Sequence, residues 1–144
     1  AGSTRHLDEA DLNAMATYLK SLPVVAPTAP DTERAEPQVL VLGQRLYEAK
    51  CAQCHGENGT SAAPEFPSLA GHRTVTMASS ANLVRVIVSG GFPPSTPGNP
   101  RPYGMPPFGQ ELSNAEIAAL ASYVRGAWGN TASRVLPLDV QKVR

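Results

Sequence analysis

Cys51-Ala52-Gln53-Cys54-His55 is the stretch whose residue types and spacing could do chemistry. Two thiols three positions apart, followed at once by an imidazole, are what covalent c-type haem attachment needs. Each thiol adds across one vinyl group of the porphyrin. On a helical turn both sulfurs face one side, and the next residue points its imidazole at the iron. The chain has 2 cysteines, so the motif uses them all. Three other readings compete. A Cys-x-x-Cys redox pair belongs beside a βαβ pattern, and none is visible. A zinc site needs further ligands at a second close spacing, which His6 and His72 do not supply. A disulfide across so tight a loop would close few residues and stabilise little.

A haem iron held by His55 calls for a ligand on its other face. Of the 3 methionines, Met15 lies on the apolar face of a leading helix and Met77 in a polar stretch soon after the motif. Met105 stands in a long loop, residues 92 to 109, that holds seven prolines. Such a loop in a compact domain is usually functional. Its rigidity would let the chain return across the opposite haem face. A thioether is a soft, neutral ligand that raises the potential of iron; the alternative is a gap-filling core methionine. Pro67 has a carbonyl and no N–H, which suits it to accept from the second ring nitrogen of His55. Otherwise it only forms a turn. Tyr103 either hydrogen-bonds a haem propionate or packs. Arg85 either reaches a propionate or is a solvated surface cation.

The elements that must position these residues read as helices. Leu7, Leu12, Met15, Leu19 and Leu22 recur at helical spacing over residues 1 to 22, with Asp8 as N-cap and Pro23 as stop. Residues 23 to 37 form a proline-stiffened linker, which marks the domain boundary. A second helix opens at Pro37 and runs to the motif, with Val39, Leu42, Leu46 and Tyr47 on one face. Gly43 interrupts it, and a mid-helix glycine, which costs about 1 kcal/mol against alanine, suits a close helix crossing. Gly56-Glu57-Asn58-Gly59 breaks the chain after His55. Ser80 or Asn82 caps a short helix with Leu83, Val84, Ile87 and Val88 apolar, ended by Gly90-Gly91. Ser113-x-x-Glu116 is a capping box that opens a helix carrying Ile117, Leu120, Ala121 and Val124 to about Trp128. Tyr123 and Tyr47 would meet where this helix crosses Gly43. Residues 130 to 144 read as a surface strap with a possible last helical turn.

An internal repeat links the first and last long helices. Shifted by 105 residues, Leu7, Ala10, Ala14, Ala16 and Tyr18 fall on Leu112, Ala115, Ala119, Ala121 and Tyr123. Two alanine-rich helices can coincide by chance. The sharper reading is that the leading helix closed an earlier domain of the same type. Its apolar face must then pack on this domain, pair with another chain, or fray.

Bulk properties narrow the class. The 12 basic and 12 acidic residues give a net charge of 0, which argues against a nucleic-acid partner. No apolar run approaches a membrane span; Val39 to Leu42 is four residues. No charged-then-apolar leader is present, as expected of a mature or excised product. The 12 glycines, 14 prolines and few aromatics give a thin side-chain core, for which a central cofactor would compensate. Haem c is attached outside the cytoplasmic membrane, so the motif implies a periplasmic location. Few charges near Met105 suggest an apolar docking patch, with Pro93, Pro94, Pro106, Pro107 and Phe108 as contacts.

Gly43, Tyr47, Cys51-x-x-Cys54-His55, Pro67-x-Leu69-x-Gly71, Met105-Pro106 and Tyr123 together resemble the class I c-type cytochromes over about residues 37 to 129. The resemblance implies an all-α cytochrome c fold, with three to four helices around one covalent haem c, plus the extra N-terminal helix. It implies His55 and Met105 as iron ligands, and Pro67 and Leu69 beside the haem. The leading "LDEADLNAMATYLKSLP" and closing "YVRGAWGN" are similar to the multihaem cytochrome c subunits of membrane-bound alcohol, gluconate or aldehyde-type dehydrogenases. Such subunits carry three similar haem domains. This chain resembles the third (residues 38 to 129, with the strap 130 to 144), preceded by the closing helix of the second (residues 1 to 22). The implied role is electron transfer, not catalysis, from a dehydrogenase subunit through preceding haem domains to quinone or a terminal oxidase. The location would be periplasmic, at the inner membrane only through the rest of the subunit, and the leading helix could mediate a dimer. Filled axial positions leave iron no open substrate site; a labile sixth ligand would instead make a haem peroxidase or ligand sensor.

Overall fold

A computed structural model describes residues 6–23, 33–63, 65–97 and 100–144. Among the described residues seven helices follow one another: α1 (Glu9–Ser21), α2 (Pro37–Lys50), α3 (Ala52–His55), α4 (Arg73–Thr76), α5 (Ala81–Ser89), α6 (Asn114–Gly126) and α7 (Pro137–Val143). The count exceeds the three to four expected because α3 and α4 are single turns and the strap closes in a real helix. Among the described residues no strand forms; one bridge joins Gly91 to Met105.

The frame is the crossing of α2 and α6. Pro37 sits in the first turn of α2, where its missing N–H has no intrahelical partner to lose. α6 opens with the expected capping box: the Ser113 hydroxyl accepts from the Glu116 N–H at 3.3 Å, and the Glu116 carboxylate accepts from the Ser113 N–H at 2.8 Å. A Cβ on Gly43 would lie 2.2 Å from the Ala119 carbonyl oxygen and 2.7 Å from Tyr123 Cβ. The two backbones therefore touch there, and only glycine permits it. One turn further on, the Tyr47 and Tyr123 rings meet at 5.7 Å.

Several expectations need correction. The buried stripe of α2 runs through Val39, Leu40, Gly43, Leu46 and Tyr47, and Leu42 faces solvent. Leu42 is three residues from Val39 but falls on the far side of Gly43, so an i+3 reading chose the wrong edge of the face. α6 ends at Gly126, short of Trp128, whose φ of 52° is left-handed. Ser80 precedes α5 without a side-chain cap bond. Phe108, expected as a docking contact, is 7% exposed and belongs to the core. Its N–H donates to the Ile87 carbonyl at 2.9 Å, which turns the ring inward. Most of the expected linker, residues 24–32, lies outside the described residues, as do residues 1–5 of the leading segment.

Asp8 caps α1 as expected, accepting from the Asp11 N–H at 2.8 Å, yet α1 buries no residue. At the other end, α7 packs Val140 against α6. Arg125 of α6 is fully buried. Its guanidinium donates to the carbonyls of Val75, Met77 and Ser133 at 2.8, 2.9 and 2.7 Å. A buried cation is tolerable when backbone dipoles surround it. Arg125 thereby ties α4 and the strap to α6.

Candidate haem site

One wall is the thiol motif. α2 gives way at Cys51, whose φ of −121° starts a tighter turn, and the His55 N–H donates to the Cys51 carbonyl at 2.9 Å. Gly56, at φ 75°, ends that turn. The Tyr47 hydroxyl donates to the Gly56 carbonyl at 2.5 Å, so α2 clamps both ends of the motif. Tyr47 is itself wedged against Trp128, with ring centroids 4.7 Å apart. Burial, with Cys51 and Tyr123 adding, pushes the Tyr47 phenol up to about 12. Burial likewise pushes the Cys51 thiol up to about 11, with Cys54 adding to it. Reactive redox thiols are shifted the other way, so Cys51 does not have the character of a poised thiolate. Among the described residues, no group of three or more His, Cys, Asp or Glu that could hold a metal comes together.

His55 is oriented from behind. Its Nδ1 lies 2.9 Å from the Pro67 carbonyl oxygen. A carbonyl only accepts, so Nδ1 carries the proton and Nε2 keeps its lone pair. The Pro67 segment is bolted in turn. The N–H groups of Leu69 and Ala70 and the Ser68 hydroxyl all donate to the Gly59 carbonyl, at 2.7, 3.0 and 3.0 Å. Gly59 sits at φ 65°, and a Cβ there would strike the Trp128 ring at 2.4 Å.

The facing wall carries Met105. Its N–H donates to the Gly91 carbonyl at 2.8 Å, and its carbonyl accepts from the Gly91 N–H at 3.0 Å. Beyond it, the Gly109 N–H donates to the Val88 carbonyl at 3.0 Å. The proline-rich loop is therefore laid along the end of α5. Gly90 makes this possible: it adopts φ 69°, and a Cβ there would lie 2.4 Å from the Met105 carbonyl oxygen.

Between the walls lies a cavity of about 490 Å³, within the roughly 300–1,000 Å³ usual for cofactor sites. It brings together Cys51, Cys54, His55, Pro67, Tyr103 and Met105. An adjoining pocket of about 240 Å³ shares Cys51, His55, Pro67 and Met105 and adds Leu69, His72, Leu83, Ile87, Leu120 and Val124. Arg85 lines neither; it is exposed, and its neighbour Val86 faces the cavity instead. Met105 lines both, whereas Met15 and Met77 line neither and stand exposed. Phe92, unremarked in the sequence, is 82% exposed at the mouth beside Tyr103. The absence of a Cβ on Gly104 makes room for its ring. An apolar cleft lined by two thiols, a directed imidazole and, from a separate segment, a thioether fits a covalently held haem.

Residues 40–128 match the family described as Cytochrome c. The chain belongs to the cytochrome c family. Membership implies covalent haem c and electron transfer. Along its whole length the chain is 36% identical to the cytochrome c subunit of the quinone alcohol dehydrogenase of Gluconobacter oxydans, covering 32% of that protein. It is 30% identical over 99% of its length to the gluconate 2-dehydrogenase cytochrome c subunit of Pantoea cypripedii, covering 34% of it. Cytochrome c-552 of Thermus thermophilus is 32% identical over 61% of this chain and 69% of its own. The chain thus spans about a third of the dehydrogenase subunits it matches. These relatives are cytochromes or cytochrome subunits, not catalytic subunits. No helix among the described residues is long and apolar enough to cross a membrane.

Asn130 and Arg125 were not singled out by the sequence reading, although both hold the walls in place. Asn130 reads only as a helix stop after Gly129. Their partners lie about 50 to 60 residues away, at Val75, Leu69 and Gly71, and no local pattern announces them.

Proposed function

We propose that this cytochrome carries single electrons through one haem c, joined to Cys51 and Cys54 and ligated by His55 and Met105. The observation that carries the reading is that His55 and Met105 line the same two cavities from different segments, each fixed by backbone hydrogen bonding. When bound, haem c supplies a one-electron ferric–ferrous couple. His55 presents Nε2, and the Pro67 acceptor makes its imidazole a stronger donor. Met105 presents a neutral thioether. Leu83, Ile87, Leu120 and Val124 keep water from the inner pocket. A thioether ligand and a dry pocket both favour the less charged ferrous state. If His55 and Met105 both held the iron, no open position would be left for a substrate, and the domain would relay electrons rather than turn over a peroxide or sense a ligand.

The printed names of the dehydrogenase relatives support a place in a periplasmic dehydrogenase complex. Electrons would enter from the catalytic subunit through preceding haem domains and leave towards quinone or a terminal oxidase. Contact with the inner membrane would come only through the rest of the subunit. α1 would be the closing helix of the preceding domain; its likeness to α6 and its exposed apolar face support this.

A redox titration of the haem-loaded chain, followed by absorption, tests the ligand set. The expected result is a low-spin c-type spectrum, a positive potential and the weak near-infrared band of a thioether–ferric bond, lost in Met105→Ala. A high-spin spectrum with rapid CO binding in the native protein would overturn it and favour the peroxidase or sensor reading.

A further inference from the structure

We propose that Asn130 is a positioning residue for the proximal ligand, setting the strength of the His55–Pro67 hydrogen bond and through it the potential of the domain. The inference rests on His55 being that ligand.

Asn130 is 3% exposed. Trp128 and Gly129, at φ 52° and 84°, reverse the chain after α6 and turn the amide inward. All its side-chain bonds lead to two places. Its Oδ1 accepts from the Gly71 N–H at 2.8 Å, and its Nδ2 donates to the Leu69 carbonyl at 3.3 Å. The same Nδ2 donates to the Val124 carbonyl of α6 at 2.8 Å. One side chain thus fastens the segment from Pro67 to Gly71 onto the helix that packs against α2. The imidazole belongs to the α2–α3 side of this arrangement, and its acceptor carbonyl to the fastened segment. The 2.9 Å separation between them is therefore a distance between α3 and a segment that Asn130 fastens to α6. Gly59 holds the near end of the segment, at Ser68 to Ala70, and Asn130 holds the far end.

Removing the amide leaves the Gly71 N–H and the Leu69 and Val124 carbonyls without this partner and releases the far end. The Pro67 carbonyl then recedes, the Nδ1–H bond weakens, and the imidazole becomes a poorer donor to iron. A poorer donor stabilises the ferric state less, so the potential rises.

The test compares haem-loaded wild type and Asn130→Ala by redox titration and by NMR exchange of the His55 ring N–H. The expected result is an upward shift in potential with the thioether band kept, and ring N–H exchange faster by about tenfold, the scale of one lost hydrogen bond. An unchanged potential and exchange rate in a folded Asn130→Ala protein would overturn the proposal while leaving His55/Met105 ligation intact. A wild type lacking the low-spin spectrum would overturn the ligand reading instead. Should Asn130→Ala not fold, the wild type decides. The Gly71 amide and the His55 ring N–H should exchange through one shared opening, and unrelated protection would overturn the coupling.

Discussion

α1 and α6 carry the same pattern of residues and meet opposite fates. Leu12, Met15 and Leu19 of α1 are 41%, 47% and 63% exposed, whereas their counterparts Ile117, Leu120 and Val124 of α6 are 0%, 1% and 3% exposed. Both helices are capped by a side chain at the N-terminus, by Asp8 and Ser113. The difference lies in the partner. α6 finds α2, whose Gly43 lets Ala119 and Tyr123 approach to backbone contact. Among the described residues, α1 packs on no other helix in this way. Periodicity and capping therefore specify that a helix forms, while burial depends on a complementary surface elsewhere.

The sharpest way to break this comparison is to fill the groove that α6 uses. Gly43→Val would force two helices apart at a point where backbone, not a flexible side chain, is the obstacle. We expect a loss of about 3 kcal/mol in denaturant unfolding, in line with overpacked cores, and no change in the helicity of α1. A variant of wild-type stability would show that the α2–α6 contact is looser than described. The second test treats the two helices identically. Tyr123 packs edge-on to Trp128 at 5.5 Å and on Tyr47 at 5.7 Å, so Tyr123→Ala should cost about 2 kcal/mol. Tyr18 is 65% exposed, and Tyr18→Ala should stay within about 0.5 kcal/mol of the parent. Equal costs in the two variants would mean that α1 has a partner within this chain.

The same contrast explains what could be read from the sequence. Signals confined to a few adjacent residues were legible: the Cys51-x-x-Cys54-His55 spacing, the Ser113–Glu116 capping box, Pro37 at a helix start, and glycine at the crossing. A carbonyl on a residue without an N–H suited Pro67 to an acceptor role, and that carbonyl lies 2.9 Å from His55 Nδ1. Properties that depend on distant neighbours were not legible. Phe108 looked like a surface contact because few charges lie near Met105, which suited an apolar docking patch; with its N–H donating to the Ile87 carbonyl, it is instead part of the core. Nothing in the sequence marks Arg125, because the carbonyls that surround it come from α4, the residue after α4 and the strap. Leu42 shows the limit within a single helix. Several apolar residues in a row allow two adjacent faces, and the choice between them was made by α6.

The smallest expected effect comes from removing α1 altogether. Because no side chain of α1 is buried, deleting residues 1–22 should leave the denaturant midpoint of the remaining domain within about 0.5 kcal/mol of the parent. The solution behaviour should change more than the stability. Leu12, Met15, Tyr18, Leu19 and Leu22 form a continuous exposed apolar surface on the intact chain, and surfaces of that kind drive association when no cognate partner is present. Light scattering across a concentration series should therefore show reversible self-association of the intact chain that the deletion abolishes. If the intact chain stays monomeric at every concentration, the helix is tolerated bare and its likeness to α6 carries no preference for burial. If instead the deletion destabilises the domain, α1 is held by it. The repeat would then describe two helices of one core rather than the end of one domain and the end of the next.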